Sequence, residues 1–250
     1  MQSIHMGLFM GQSNMAGRGV AALSPAVTLG MGYEFRAISA PEQLHPMQEP
    51  FGERENNPAG VYEPGMKTGS MVSAFTKACT GVTGTPIVGV SCAKGGSAIH
   101  QWVPGTPFYA DAVQRAKACE NYLTGHGCHI ARKFMVWCQG CTDGDLHTPP
   151  ESYKAQTAAF LRSLMAECGV EVCFLVQIGN HRDEPQLYVP IQQAQEELAR
   201  EEPNVVLVSR QFKTFAARGL MKDTFHYLQE GYNLVGQEAG HAAGLWLASR

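Results

Sequence analysis

An unbroken apolar run, Ile4 to Met10, opens the chain and gives way at Gly11 to the small and polar residues Gln12-Ser13-Asn14. A short continuous run of this kind predicts a buried strand. Four more runs follow, at Pro86–Cys92, Ile130–Cys138, Val170–Ile178 and Val205–Ser209. Between them the spacing predicts helices at Ser70–Thr80, Phe108–Leu123, Glu151–Cys168 and Tyr188–Glu202, and a closing amphipathic helix at Gln229–Ala248. In the first of these, Met71, Val72, Phe75 and Ala78 share one side, and Gly169 is well placed to cap the third. Strands alternating with helices predict parallel βαβ units and a five-stranded sheet, in one three-layer α/β domain over residues 1–250. One stretch breaks the pattern. Gly17–Gly69 holds Pro41, Pro46, Pro50, Pro58 and Pro64 and shows little periodicity. A segment this long without elements is usually functional or disordered, and we expect a lid-like excursion beside the site.

Composition narrows the function. The chain has 250 residues, 44% hydrophobic and 16% charged, with a net charge of −3. Such a balance gives no footprint for a nucleic-acid or polyanion partner. No apolar run approaches the roughly 20 residues of a membrane helix, so no membrane association is expected. The first strand begins almost at Met1, leaving no room for a signal peptide. The eight cysteines (Cys79, Cys92, Cys119, Cys128, Cys138, Cys141, Cys168 and Cys173) are accordingly expected to be reduced, in a cytoplasmic protein. Cys138-x-x-Cys141 has the spacing of half a zinc site, but no second pair follows, and neither metal nor cofactor is expected.

The chemistry lies in the loops after the strands. The first strand hands over to Gln12-Ser13-Asn14, the second to Lys94-Gly95-Gly96-Ser97, the third to Gln139-Gly140-Cys141-Thr142-Asp143. Near the end comes Asp223-Thr224-Phe225-His226. In a parallel sheet these strand ends share one edge, where open α/β sheets place their ligands. Acyl transfer requires a hydroxyl nucleophile, an imidazole base, a carboxylate to orient it and donors for the oxyanion. A carboxylate three residues before a histidine can reach Nδ1 from the same loop, leaving Nε2 to face Ser13. Each signal alone has a plainer reading. Ser13 or Asp223 can be a helix cap, Gly95-Gly96 a turn, and Gln139 a loop tie. Their agreement at successive strand ends favours the site.

Residues Gly11-Gln12-Ser13-Asn14-Met15-Ala16-Gly17-Arg18-Gly19 resemble the first block of the SGNH (GDSL-like) hydrolases, more narrowly their sialate O-acetylesterase and carbohydrate esterase family 6 branch. Gly95-Gly96-Ser97-Ala98-Ile99 with Trp102 resembles the second block, Trp137-Cys138-Gln139-Gly140 the third, and Asp223-Thr224-Phe225-His226 the last. The resemblance implies a flavodoxin-like α/β/α fold with parallel strands in the order 2-1-3-4-5. It also implies a metal-independent Ser13–His226–Asp223 triad, with the Ser13 and Gly95 backbone N–H groups and the Gln139 side chain as oxyanion donors. The α/β-hydrolase elbow is absent, because Met15 stands where its second glycine belongs. The branch has Glu after Gln-Gly, where this chain has Cys141, while its Asp is kept as Asp143.

The implied activity is release of acetate from an O-acetylated sugar, small or oligomeric. O-acetylated sialic acid is the first reading, and acetylated xylo- or manno-oligosaccharide the second. A non-catalytic sugar-binding module is the reading from another class, opposed by the complete Ser, His, Asp and Gln set. Gln12, Asn14, Arg18, Lys94, Trp102, Cys141, Asp143 and Arg182 are the candidate substrate contacts. Among them Arg18, Lys94 and Arg182 are the cations that the carboxylate of a sialic acid would need.

Overall fold

The computed structural model describes residues 3–250. In chain order its elements are β1 (Ser3–Gly11), α1 (Ser13–Ala16), β2 (Gly32–Phe35), β3 (Leu44–Pro46), α2 (Val72–Thr83), β4 (Ile87–Ala93) and α3 (Pro107–Gly125). There follow β5 (His129–Cys138), α4 (Cys141–Asp145), α5 (Pro150–Cys168), β6 (Val172–Val176), α6 (Val189–Glu201), β7 (Val205–Ser209) and α7 (Gln229–Ala248). Expected elements and observed ones agree to within a few residues, and β7 and α7 coincide with their expected spans.

One sheet carries the strands in the order β3-β2-β4-β1-β5-β6-β7. Its core, β4-β1-β5-β6-β7, is parallel throughout and has the implied flavodoxin-like order. The sheet has seven strands rather than five, because the Gly/Pro-rich excursion adds two short ones. β2 pairs parallel with β4, and β3 pairs antiparallel with β2. Four residues and three residues are too few to show a period. β3 ends in Pro46, which suits only an edge strand because proline cannot donate to a ladder.

Alternation along β1 builds two cores. Ile4, Met6, Leu8 and Met10 face one side, with Ala112 and Ala116 of α3, Phe160 and Leu164 of α5, and Ala194 and Leu198 of α6. Phe9 faces the other, against Phe75 of α2 and Phe134 of β5, each ring meeting it edge-on. Helices α2 and α7 cover that second face, which completes the three layers. No described helix is long and apolar enough to cross a membrane.

The excursion is fastened by buried charge as well as by the apolar packing of Phe35, Met47, Phe51 and Val61. Arg115 of α3, fully buried, donates to the carbonyls of Ser91 at 2.8 Å and Glu55 at 3.3 Å and pairs with Asp111 at 2.9 Å. Asp111 in turn accepts the Val61 N–H and the Asn57 amide, both at 2.8 Å. Glu55 takes the N–H groups of Ile38 and Ser39, and Glu49 those of Phe51, Ser70 and Ser73. The expected lid is thus a braced wall, part of it built into the sheet.

Helices α2 and α7 meet backbone to backbone through Gly236, Gly240 and Gly244, one every four residues. A Cβ added at Gly240 would lie 2.3 Å from the Phe75 carbonyl oxygen, and one at Gly236 2.4 Å from that of Met71. Gly81 of α2, by contrast, faces open space. Gly240→Ala is therefore expected to destabilise the protein by about 1–3 kcal/mol through overpacking. Gly81→Ala should stabilise it by up to about 1 kcal/mol through helix propensity. Urea denaturation of the two variants checks the pair; equal effects would refute the close-approach account.

Candidate active site

β1 ends in a turn that only glycine tolerates. Gly11 has φ +133°, and a Cβ there would lie 2.1 Å from the Cys138 carbonyl oxygen. That oxygen accepts the Gln12 N–H at 2.9 Å, so the chain swings off the sheet and Ser13 begins α1. Two neighbours brace it. Gln12 Oε1 accepts the N–H groups of Gly140 at 2.8 Å and Thr142 at 3.4 Å. Asn14 Oδ1 accepts the Tyr232 hydroxyl at 2.7 Å, and its Nδ2 donates to the Phe225 carbonyl at 3.0 Å. The first strand's loop is thereby tied to the third strand's loop, to α7 and to the segment carrying His226.

Ser13, His226 and Asp223 come together. His226 Nε2 lies 2.9 Å from Ser13 Oγ, and Nδ1 lies 2.8 Å from Asp223 Oδ2. The other Asp223 oxygen accepts the backbone N–H groups of Phe225 at 3.1 Å and His226 at 2.8 Å, so one carboxylate shapes the turn and orients the ring. Burial pushes the His226 pKa below the ordinary 6.5, outweighing the pull of Asp223 in the other direction. Burial also acts to raise the Asp223 pKa. The hydrogen bonds from the imidazole and the two N–H groups outweigh it and hold the carboxyl below its ordinary range. The arrangement is a hydroxyl against an imidazole whose far nitrogen is held by a carboxylate.

A cleft of about 620 Å³ opens over Ser13 and His226. Of the candidate contacts, Gln12, Arg18, Lys94 and Cys141 line it, together with Gly95 of the expected oxyanion donors. Arg18 is not a free cation: its guanidinium pairs with Glu63 and donates to the Met66 carbonyl at 2.8 Å. Lys94 Nζ donates to the Gly95 carbonyl at 2.8 Å. Burial pushes the Cys141 thiol well above its ordinary range, which keeps it a neutral wall rather than a nucleophile.

Other candidates lie elsewhere. Trp102 is fully buried, its Nε1 donates to Ser97 Oγ at 2.9 Å, and it packs on Trp137, Phe108 and Phe160. Asp143 is buried and accepts the Ile99 N–H at 3.0 Å and the Thr148 hydroxyl at 3.1 Å; it braces two loops. Arg182 is half exposed beside Asp183, outside the cleft, and its backbone N–H supports the Thr224 carbonyl.

Two of the implied oxyanion donors are differently engaged. Gln139 is fully buried, and its Nε2 donates to the Ser97 carbonyl at 3.0 Å and to Asp143. Both donations of this amide go to acceptors in the neighbouring loops, as a loop tie would make them. The Gly95 N–H donates to Glu63 Oε2 at 3.1 Å. The Ser13 N–H has no partner among the described residues. The cleft also holds residues that motif reasoning passed over: Tyr62, Glu63, Pro64 and Met66 from the excursion, Thr142 and Asp145 from α4, and Phe225. For the four excursion residues the only signal was the length of the excursion itself, while Thr142 and Phe225 stood inside the motifs without a role of their own. Among the described residues no cluster of three or more His, Cys, Asp or Glu side chains is placed to hold a metal ion.

Comparison with known proteins fits this geometry. Residues 3–244 match the family model described as carbohydrate esterase, sialic acid-specific acetylesterase, and the chain belongs to that family. No curated protein sequence matches it. Among solved structures, a protein of Arabidopsis thaliana aligns at TM-score 0.74 and 22% identity over 97% of this chain and 98% of its own. NanS aligns at 0.68 and 13% over 100% and 98%. A carbohydrate acetylesterase from Xanthomonas citri aligns at 0.58 and 17% over 94% of this chain and 54% of its own. These likenesses establish the fold.

Because the Gln139 amide is consumed inside its loop, Gln139→Ala should cost about 1–3 kcal/mol of stability by stranding buried partners. Its kcat for ester hydrolysis should fall far less than the roughly 10²–10³ that loss of an oxyanion donor costs. Chemical denaturation and kcat on the same preparation decide; a hundredfold loss of kcat at unchanged stability would return Gln139 to the oxyanion role.

Proposed function

We propose that this family member is a carbohydrate O-acetylesterase acting through an acetyl-Ser13 intermediate. The observation that carries the reading is the continuous hydrogen-bonded run from Asp223 through His226 to Ser13 Oγ, at 2.8 and 2.9 Å, at the floor of an open cleft. His226 Nε2 takes the Ser13 proton as Oγ attacks the acetyl carbonyl, while Asp223 holds the ring and stabilises the imidazolium. The tetrahedral oxyanion is met by the Ser13 N–H. Collapse expels the sugar oxygen, which takes the proton from His226. Water, deprotonated by the same nitrogen, then attacks the acetyl ester, and acetate leaves. No step calls for a metal.

The family description suggests a sialic acid ester as substrate. A second reading, a neutral acetylated sugar, is favoured by the pairing of Arg18 with Glu63 and by the position of Arg182 outside the cleft. A cytoplasmic site of action completes the reading, supported by eight cysteines held as free thiols.

Ser13→Ala should abolish acetate release from p-nitrophenyl acetate while the far-ultraviolet circular dichroism stays native. Asp223→Asn should fold but lose about 10³–10⁴ in kcat through the wrong tautomer. A protonated His226 cannot accept the Ser13 proton, so activity is lost as pH falls through its pKa. Burial lowers that pKa from 6.5, so the acid limb of kcat/KM should have its midpoint below 6.5. A midpoint above about 7 would exclude a buried imidazole as the base.

A further inference from the structure

We infer that Glu63 is a specificity-determining residue that fills the cleft's own anion site and so selects neutral acetylated sugars over carboxylate-bearing ones. The inference rests on the esterase reading and deepens it. Two donors that would suit a substrate carboxylate, the Arg18 guanidinium and the Gly95 N–H, converge on Glu63, whose Oε2 accepts the latter at 3.1 Å. The pair is seated where Gly95 lacks a side chain: a Cβ there would lie 2.3 Å from both Arg18 Nη2 and Glu63 Oε1. Glu63 is itself buried, and its position is braced from behind. Its N–H donates to Asn56 Oδ1 at 2.8 Å, and Val61 is held by Asp111 at 2.8 Å.

The charge balance follows. The cleft-lining cations are Arg18 and Lys94, and the anions are Glu63 and Asp145. Arg18 is neutralised at contact distance, whereas Lys94 gives one donor to the Gly95 carbonyl and keeps its charge. A sialic acid carboxylate reaching Arg18 meets a formed ion pair and can take the guanidinium only by displacing Glu63. A neutral sugar keeps the pair intact and can donate hydroxyl hydrogens to the free lone pairs of the Glu63 carboxylate. Tyr62, the next residue, lines the same cleft and is 48% exposed, an aromatic face on which a sugar ring can lie.

The test is the ratio of kcat/KM for acetylated methyl xyloside to that for O-acetylated sialic acid, in the wild type, Glu63→Gln and Glu63→Ala. Both substrates are read on one preparation, so the ratio is independent of the active fraction. The wild type should favour the neutral ester by about tenfold or more, and both variants should narrow that ratio by about tenfold as Arg18 is released. A wild-type preference for the sialic ester, or a ratio that neither variant moves, overturns the inference. If neither variant folds, the wild-type ratio decides alone. Wild-type cleavage of p-nitrophenyl acetate but of neither sugar also overturns it and leaves the esterase reading standing, whereas no cleavage of any ester removes the esterase reading itself.

Discussion

The site depends on where β1 stops. That strand is hydrogen-bonded to β4 on one side and β5 on the other, in parallel, so its end and theirs lie on one edge. Gly11, with φ +133°, turns the chain there within one residue, and Ser13 starts α1 immediately beyond. Neither a longer strand nor a residue with a Cβ at 11 would leave Ser13 facing the His226 imidazole. Asn14 then spends both ends of its amide, on Tyr232 and on the Phe225 carbonyl, so the segment with His226 is held against the same short helix. Ser13 and His226, far apart in sequence, share one small set of fixed groups.

The parallel core was legible because burial on both faces forces continuous apolar runs, which need no partner to be recognised. The closing helix α7 was legible for a related reason, with a period long enough to read. The excursion was not. Its segments are held by single carboxylates accepting several backbone N–H groups, Glu49 and Glu55 above all, and by Arg115 gathering carbonyls from two stretches. Such ties impose no period, because one side chain fastens many backbone groups of its surroundings. A Glu among prolines reads as a solvated loop until the backbone it serves is known.

The candidate site divides along the same line. Asp223 and His226 were readable as a pair because their bonds close within one turn: one oxygen takes two N–H groups and the other takes Nδ1. Gln139, Asp143 and Trp102 were readable only as residue types. All three have the polar groups expected of substrate contacts, and all three use them inward, on Ser97, Ile99 and one another. Residue chemistry states which bonds a side chain can make. Whether it makes them with a ligand or with its own loop is decided by burial, and these three are fully buried.

Burial sets the charge of the cleft in opposite ways at Arg18 and at position 141. The resemblance has a carboxylate there, and this chain has a cysteine whose thiol burial keeps neutral. A guanidinium as buried as that of Arg18 cannot be left without an anion, since an unpaired charge at low exposure costs several kcal/mol. That anion is Glu63, on a segment fastened by the Arg115 and Asp111 network. It follows that the excursion is more than a cover. It carries Glu63, the charge proposed to select what the cleft accepts, on a segment that a buried network holds in place.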